Sequence, residues 1–553
     1  MMASEGVPFS MFLVMMAVFV ASMILLGWYG YRHTKDNQQF LLGRNKANAL
    51  LIALSYGATF LSASAIIGFG GQAATHGLGL MWLCFLNLAL GLFVPFVLFA
   101  PRVRKIGRAL GASTFADLLG KIFKSNWIRG FIAGLIIIMM PIYGAAVMKG
   151  GVNTLVVLTG TMDLYNIILI ILAIVVGLYV VYGGIIAVMY NDVLQASVMA
   201  IGMVVILAVT LYTLGGFTAA FNSLSDLTAS AGTLPGFNGF TGYPSFGTPE
   251  WWTLTSTFLL GVGIGAMTQP QLVVRFMSAK DDKMLNRSLI VGSIFMFIVV
   301  GCAYTVGSMT NVYFFNEYGQ TAFPYVTGTL GQGVDFIIPN YVLDVFSGVS
   351  LGEVFICVFI LSLLCAAIST ISALLHTIGV AGGHDIYSIF RSRKSKEQKM
   401  EDFQSLKVNR IVTAIVMVLV VVYCYLMPND IIAKATSLFM GMTAAALLPL
   451  MVYGLYSKAP KTKVAAASMG VGTATYLFWA LFINAGSSIF LPICKWLTGN
   501  KVLFMDSNIM YVDALIVALP LSALTLLIAF AWMRWVTPKI SKAGSEKKGT
   551  TKQ

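Results

Sequence analysis

Three residues of the run FILSLLCAAISTISALLHTIG could hold an ion: Ala366, Ser369 and Thr370. Their i, i+3, i+4 spacing puts them on one face of a helix. Two adjacent hydroxyls with nearby carbonyl oxygens suit a small hard cation, which prefers oxygen ligands. The competing reading is that the hydroxyls bond back to the preceding turn. A second stretch, LIALSYGATFLSASAIIGFGG from Leu51 to Gly71, is apolar enough to span a bilayer, but Thr59, Ser62, Ser64 and Gly68 interrupt it. It is read as a helix broken in the middle. Broken backbone at membrane depth is tolerated where it is buried in protein or lines a cavity. Its unwound carbonyls can hold a cation, and the N–H groups of the second half-helix can hold an anion. Close helix packing through small residues is the alternative. A third stretch, FLLGVGIGAMTQPQLVVRFMSAKDDK, carries Gly261, Gly263 and Gly265 into Gln269-Pro270. Pro270 removes a backbone donor and clashes with the preceding turn, so either a second break or an ordinary proline kink is expected.

Two charged residues stand out. Lys149 lies in IYGAAVMKGGVNTL, and an intramembrane charge is a functional hypothesis by default. It could pair with a substrate carboxylate, replace a coupling cation, or serve a structural pairing. Asp192 sits near the start of a later apolar run. A capping or loop-pairing acid near the membrane interface is one reading of it.

Composition fixes the setting of these residues. The chain has 553 residues, of which 58% are hydrophobic and only 10% charged. Its mean hydropathy is +0.85. Soluble domains carry about 25% charged residues, so this is an all-α polytopic membrane protein. The net charge of +14 does not point to nucleic acid, because the charges sit in loops between apolar spans. The scattered cysteines form no CxxC pair and read as small core residues. No HExxH, no paired intramembrane carboxylates and no Ser/His/Asp set marks an enzyme, and His376 and His384 stand isolated. The first apolar run has Glu5 on its flank and no basic n-region, so a retained span is expected.

About thirteen spans of roughly 20 apolar residues are expected within 1–537, a single transporter domain. The broken span 47–74 is the second, 251–277 the seventh and 351–380 the ninth. Two breaks five spans apart predict a five-plus-five inverted repeat, with halves near 47–215 and 251–456 and the binding site between them. The segments 217–250 and 313–350 contain no Lys or Arg, whereas Arg102, Arg104, Lys105, Arg108, Lys121, Lys124, Arg391, Arg393, Lys394, Lys458, Lys461 and Lys463 fall on the opposite side. The positive-inside rule then places the N-terminus outside and the C-terminus in the cytoplasm of a cell-membrane protein. The basic segment 538–553 is expected to lie near anionic lipid headgroups, and no signalling output domain or obligatory protein partner is expected.

The residues resemble the sodium:solute symporter family over nearly the whole chain. ATFLSASAIIGFGGQAATHGLGLMWL (Ala58 to Leu83) is similar to the pantothenate branch. VYGGIIAVMYNDVLQ (Val181 to Gln195), QPQLVVRFMSAKD (Gln269 to Asp281) and LPLMVYGLYSKAPKTK (Leu448 to Lys463) match further family segments in the right order. The resemblance implies a LeuT-type fold and a sodium ion held by Ala58, Leu61, Ala366, Ser369 and Thr370. It implies substrate against the two breaks, at Ser62, Ser64, Gly68, Gln269 and the cavity tyrosine Tyr143, with Asp192 near the ion exit path. The proline-transporting branch has an Asp in the break where this chain has Phe60, so sodium affinity is expected to be lower than in that branch. The expected function is sodium-coupled import of a small organic solute, a carboxylate such as pantothenate or a monocarboxylate. The alternative is a proton-coupled or uncoupled carrier of an amino acid such as proline on the same fold. If Tyr143 faces the cavity, Lys149 lies about 120° away around the helix and sits at its flank at best.

Overall fold

The computed structural model describes residues 9–43, 47–227, 234–347, 349, 351–391, 401–427 and 432–535. The tail 538–553 and the basic residues Arg44, Lys46, Arg393 and Lys394 lie outside the described residues.

The described chain is helical almost throughout. In order, the helices that matter below begin with α1 (Phe9–His33), α2 (Asn37–Leu42), α3 (Ala49–Phe60), α4 (Phe69–His76), α5 (Ala100–Ala109) and α6 (Phe115–Ile122). They continue with α7 (Asn126–Leu158), α8 (Tyr165–Thr213), α9 (Pro249–Trp252), α10 (Gly261–Gly265), α11 (Pro270–Ser278) and α12 (Asp282–Tyr318). The last are α13 (Ile337–Ser347), α14 (Gly352–Val380), α15 (Glu401–Leu426), α16 (Ile432–Tyr456), α17 (Thr462–Phe482) and α18 (Ala514–Trp535). Side-chain caps begin several of them. Asn48 accepts from the Leu51 N–H at 2.8 Å, and Asp281 from the Met284 N–H at 2.8 Å. Each satisfies one of the donors a helix start leaves unpaired.

Among the described residues, eleven helical stretches are long and apolar enough to cross a membrane. Two of them, 46 and 52 residues long, run together what the sequence reading divides. The first, Ser64–Ala109, turns at Gly77 (φ +66), beside which the Leu78 N–H donates to the Phe240 carbonyl at 2.7 Å. The second contains α8, whose 49 residues bend at Gly184 (φ 57, ψ −154). A straight α8 would be roughly 74 Å long, far more than a hydrocarbon core of about 30 Å. At Gly184 a Cβ would lie 2.7 Å from the Phe40 ring and 2.9 Å from its carbonyl oxygen, so glycine meets both the left-handed backbone and the close approach of α2.

The core is built around the two interrupted helices. α3 and α4 pack on α12, α3 also packs on α8, and α10 packs on α16. α14 lies against α7 and α8, while α17 and α18 pair with each other and with α16. Many helix faces outside this centre present large apolar side chains to the surroundings, among them Val18, Leu25, Ile201, Ile290, Val418 and Leu527. A bilayer supplies the solvent such faces need.

Candidate functional site

The first helix stops at Phe60 because the backbone leaves the helical region at Leu61 (φ −87, ψ 79). Ser62 then starts the second half. Its carbonyl accepts from the Ala65 N–H at 2.9 Å and its hydroxyl from the Ser64 N–H at 3.0 Å. A wide π-type turn, Ser64–Gly68, leads into α4. Gly68 lets this turn press on α16, since a Cβ there would come within 3.0 Å of the Ala433 nitrogen.

A helix end leaves its last carbonyls without partners, and here α14 supplies them. Ser369 Oγ donates to the Ala58 carbonyl at 2.9 Å and to the Ala366 carbonyl at 3.2 Å. Thr370 Oγ1 donates to the Thr59 carbonyl at 3.0 Å. The expected hydroxyl pair and the expected broken helix therefore meet, and all these residues are buried. The carbonyl that Thr370 reaches is that of Thr59, two residues before Leu61. Leu61 itself is buried at the break, and its N–H returns to the Gly57 carbonyl at 2.8 Å. Oxygen atoms from Ala58, Thr59, Ala366, Ser369 and Thr370 thus converge between two helices. A sodium ion fits that donor set, which is all oxygen and carries no charge of its own.

Beside this cluster lies a buried ion pair that the sequence reading did not assemble. Asp192 is 0% and Arg275 1% exposed. Arg275 Nη2 lies 3.3 Å from Asp192 Oδ2 and donates to Thr59 Oγ1 at 2.7 Å. Ser55 Oγ donates to Asp192 Oδ2 at 2.6 Å, and Arg275 also bonds the Gln271 carbonyl. Asp192 is therefore no interfacial cap. It sits inside α8 and is tied to α3 and α11. Asp192 Oδ1 and both amide atoms of Gln195 make no hydrogen bond among the described residues. Arg275, an arginine within the apolar seventh span, is the signal that could have announced the pair.

The expected substrate residues form two groups. Tyr143 Oη donates to Ser62 Oγ at 3.2 Å, Thr436 Oγ1 donates to Ser64 Oγ at 2.8 Å, and the Tyr143 ring stacks on Phe439 with centroids 5.4 Å apart. Thr436 and Phe439, both on α16, are additions to the expected set. Gln269 lies at the second break, where its backbone is extended (φ −67, ψ 117) and Pro270 takes the first position of α11, a place that needs no N–H donor. The Gln269 amide donates to the Gly265 carbonyl at 2.8 Å and to Thr443 Oγ1 at 2.7 Å. The side chain thus does for the end of α10 what the next backbone N–H would do in an unbroken helix.

Lys149 makes its bond among the described residues at another helix end. Its Nζ donates to the Met427 carbonyl at 2.6 Å, just past the end of α15. A cation at a helix C-terminus meets unpaired carbonyls and the negative end of the helix dipole. This bond is a pairing of the kind the structural reading of Lys149 expects.

Both ends of the molecule close over the site. At the end where the basic segments gather, Ala47 pairs with Ala279 as an isolated bridge, its N–H donating to the Ser278 carbonyl at 3.2 Å, and the Lys280 N–H returns to Ala47 at 3.3 Å. At the other end Val334 and Ile338 rest on Gly70 and Gly71, where a Cβ on Gly71 would lie 2.4 Å from the Val334 carbonyl oxygen. Buried His76 on α4 pairs with buried Glu250 on α9, so the second half of the first broken helix is joined to the start of the second. Nearer the basic end, Asp117, His384 and Asp385 gather, but Arg129, Lys121 and Thr114 already hold the two carboxylates.

Comparison with known proteins points the same way. The sequence model of the Sodium:solute symporter family matches residues 40–472. The osmoregulated proline transporter OpuE of Bacillus subtilis (strain 168) is 28% identical over 477 residues, covering 84% of this chain and 88% of that protein. Sodium/proline symporter 2 of Staphylococcus saprophyticus is 27% identical over 481 residues, covering 86% and 87%. Among solved structures, a Na+-coupled sialic acid symporter in a substrate-bound outward-open state superposes with a TM-score of 0.71 at 19% identity, covering 95% of this chain and 98% of that one. These similarities establish the LeuT-type fold. They do not carry the resemblance to a pantothenate branch, because the relatives are named for proline.

Proposed function

Because the chain belongs to the sodium:solute symporter family, we propose that it imports a small amino acid, proline foremost, together with sodium by alternating access. That it is a sodium-coupled membrane transporter and not an enzyme follows from the family. The solute, the residues and the orientation are the proposal. The observation that carries it is the contact of Ser369 and Thr370 with the Ala58 and Thr59 carbonyls. It makes the ion site a joint between the broken helix and α14. Sodium bound there through Ala58, Leu61, Ala366, Ser369 and Thr370, with the Thr59 carbonyl beside them, holds the joint together. Its loss frees α3 to move from α14 and opens the basic end, taken as cytoplasmic. Asp192 Oδ1, unpartnered and beside the joint, supports an exit path along α8.

The solute is placed against Ser62, Ser64, Gly68 and Tyr143, with Thr436 and Phe439 opposite. Hydroxyls and half-helix N–H groups suit a carboxylate, and the names of the relatives favour proline. Gln269 holds the second break in shape and shapes the pocket's floor. One sodium ion crossing 100 mV supplies about 2.3 kcal/mol, all of it available to a zwitterion that carries no net charge. The test is uptake of labelled proline into proteoliposomes under a sodium gradient, a potassium gradient and a proton gradient. Sodium-driven uptake is expected. Proline uptake driven by protons and indifferent to sodium would overturn the coupling, and sodium-driven uptake of pantothenate but not proline would overturn the solute.

A further inference from the structure

At the basic end, away from the ion and solute sites, α2, α5 and α11 enclose a cavity of about 210 Å³. Its walls include Gln38, Arg104, Arg108, Ser113 and Met277. Arg104 and Arg108 are four residues apart on α5, so both guanidinium groups share one face. Arg104 is held by Asp282, with Nε to Oδ1 at 2.8 Å, and Lys105 Nζ lies 3.4 Å from the other oxygen of the same carboxylate. Arg108 has no carboxylate partner among the described residues. Its Nη2 donates to the Ala279 and Lys280 carbonyls at 2.5 and 2.9 Å, and its Nη1 and Nε make no hydrogen bond among the described residues. Three cations thus gather with two carboxylates, Asp282 and Asp281, both within electrostatic reach of Arg108, which leaves the cluster positively charged. The acids nearby are engaged: Asp281 caps α12, Asp36 caps α2, and Asp117 is shared by Lys121 and Arg129. The side chains of Gln38 and Ser113, both lining the cavity, make no hydrogen bond among the described residues and can donate into it.

We propose that this cavity binds a phosphate group. Guanidinium forks match phosphate oxygens better than a point charge does, and the Gln38 amide and Ser113 hydroxyl supply neutral donors beside them. The same chemistry is offered by a phospholipid headgroup and by a soluble phosphate ester. An occupant would tie α5 to α2 and, through Arg108, to the turn after α11. That turn carries Ala279, whose bridge to Ala47 ties it to the start of α3, so the bound anion favours the form closed at this end. That consequence rests on the alternating-access reading; the binding does not.

The purified full chain in phosphatidylcholine nanodiscs is titrated with glycerol phosphate, with sodium chloride of equal ionic strength as control, and is separately placed in nanodiscs containing phosphatidylglycerol. The readout is the thermal midpoint. A saturable rise in the soluble arm assigns a free phosphate ester, and a rise only with phosphatidylglycerol assigns a lipid headgroup. Arg108→Gln should weaken the response about tenfold. Gln38→Glu leaves every contact of Arg108 in place and sets a carboxylate against the guanidinium groups. It should abolish the response while sodium-driven uptake in phosphatidylcholine persists. No rise in either arm, or a rise of wild-type size in Gln38→Glu, overturns the proposal.

Discussion

Ser369 and Thr370 each hold one carbonyl of the broken helix, so at the proposed ion site each hydroxyl counts twice, as a helix contact and as an oxygen ligand. Losing one such contact costs about 1 kcal/mol, or roughly fivefold in binding. Ser369→Ala and Thr370→Ala are therefore expected each to raise the sodium concentration for half-maximal uptake by about that factor. Wild-type sodium curves for both variants would sink the ion-site assignment. Arg275 is a sharper case. Removing it leaves Asp192 buried without its cation, at a cost of about 3–5 kcal/mol. Arg275→Gln should lose most of its folded yield, and adding Asp192→Asn should recover part of the thermal midpoint. A double variant no more stable than the single one would show that the pair is not coupled. Lys149→Met, by contrast, removes the contact to the Met427 carbonyl at the end of α15. Thermal stability should fall while the half-saturation values for sodium and solute stay as they were; a changed solute value would return Lys149 to the site.

At the scale of elements, the breaks matter more than the helices. α8 bends at Gly184, where the backbone is left-handed and Phe40 leaves no room for a side chain. Gly184→Ala combines backbone strain with a clash, so a loss above about 1 kcal/mol is expected, read as a lower thermal midpoint. Because Phe40 belongs to α2, which leads into α3, uptake should slow as well. An alanine variant with wild-type stability and rate would mean that the bend is not fixed by this contact. Gln269 makes the same point by chemistry: a side-chain amide replaces the backbone donor that the second break removes.

For the whole molecule, the distribution of charge predicts which end faces the cytoplasm. The cysteines among the described residues are buried, so a new surface cysteine would be labelled over a low background. In intact cells a cysteine at Thr329 should react with a membrane-impermeant thiol reagent, and one at Lys280 should not. Labelling at Lys280 alone would invert the orientation.

Composition, charge position and apolar run length already required a polytopic helical membrane protein, because a segment that is to lie in lipid must satisfy its own backbone and expose apolar side chains. The two interrupted spans were legible as candidates: glycine, proline and hydroxyl residues at such density inside an apolar run mark a break, a kink or close helix packing. The i, i+3, i+4 spacing of Ala366, Ser369 and Thr370 made one face, but not what that face meets. Only the tertiary structure set it against Ala58 and Thr59, chose Thr59 as the partner of Thr370, and brought Arg275 to Asp192. The pairing depends on how α3, α8 and α11 cross, and no local pattern encodes a crossing. Lys149 shows the limit from the other side. Its position in an apolar helix advertised a charge in need of a partner, and one partner the fold supplies is the carbonyl end of a helix distant in sequence, a group every residue carries and no sequence distinguishes.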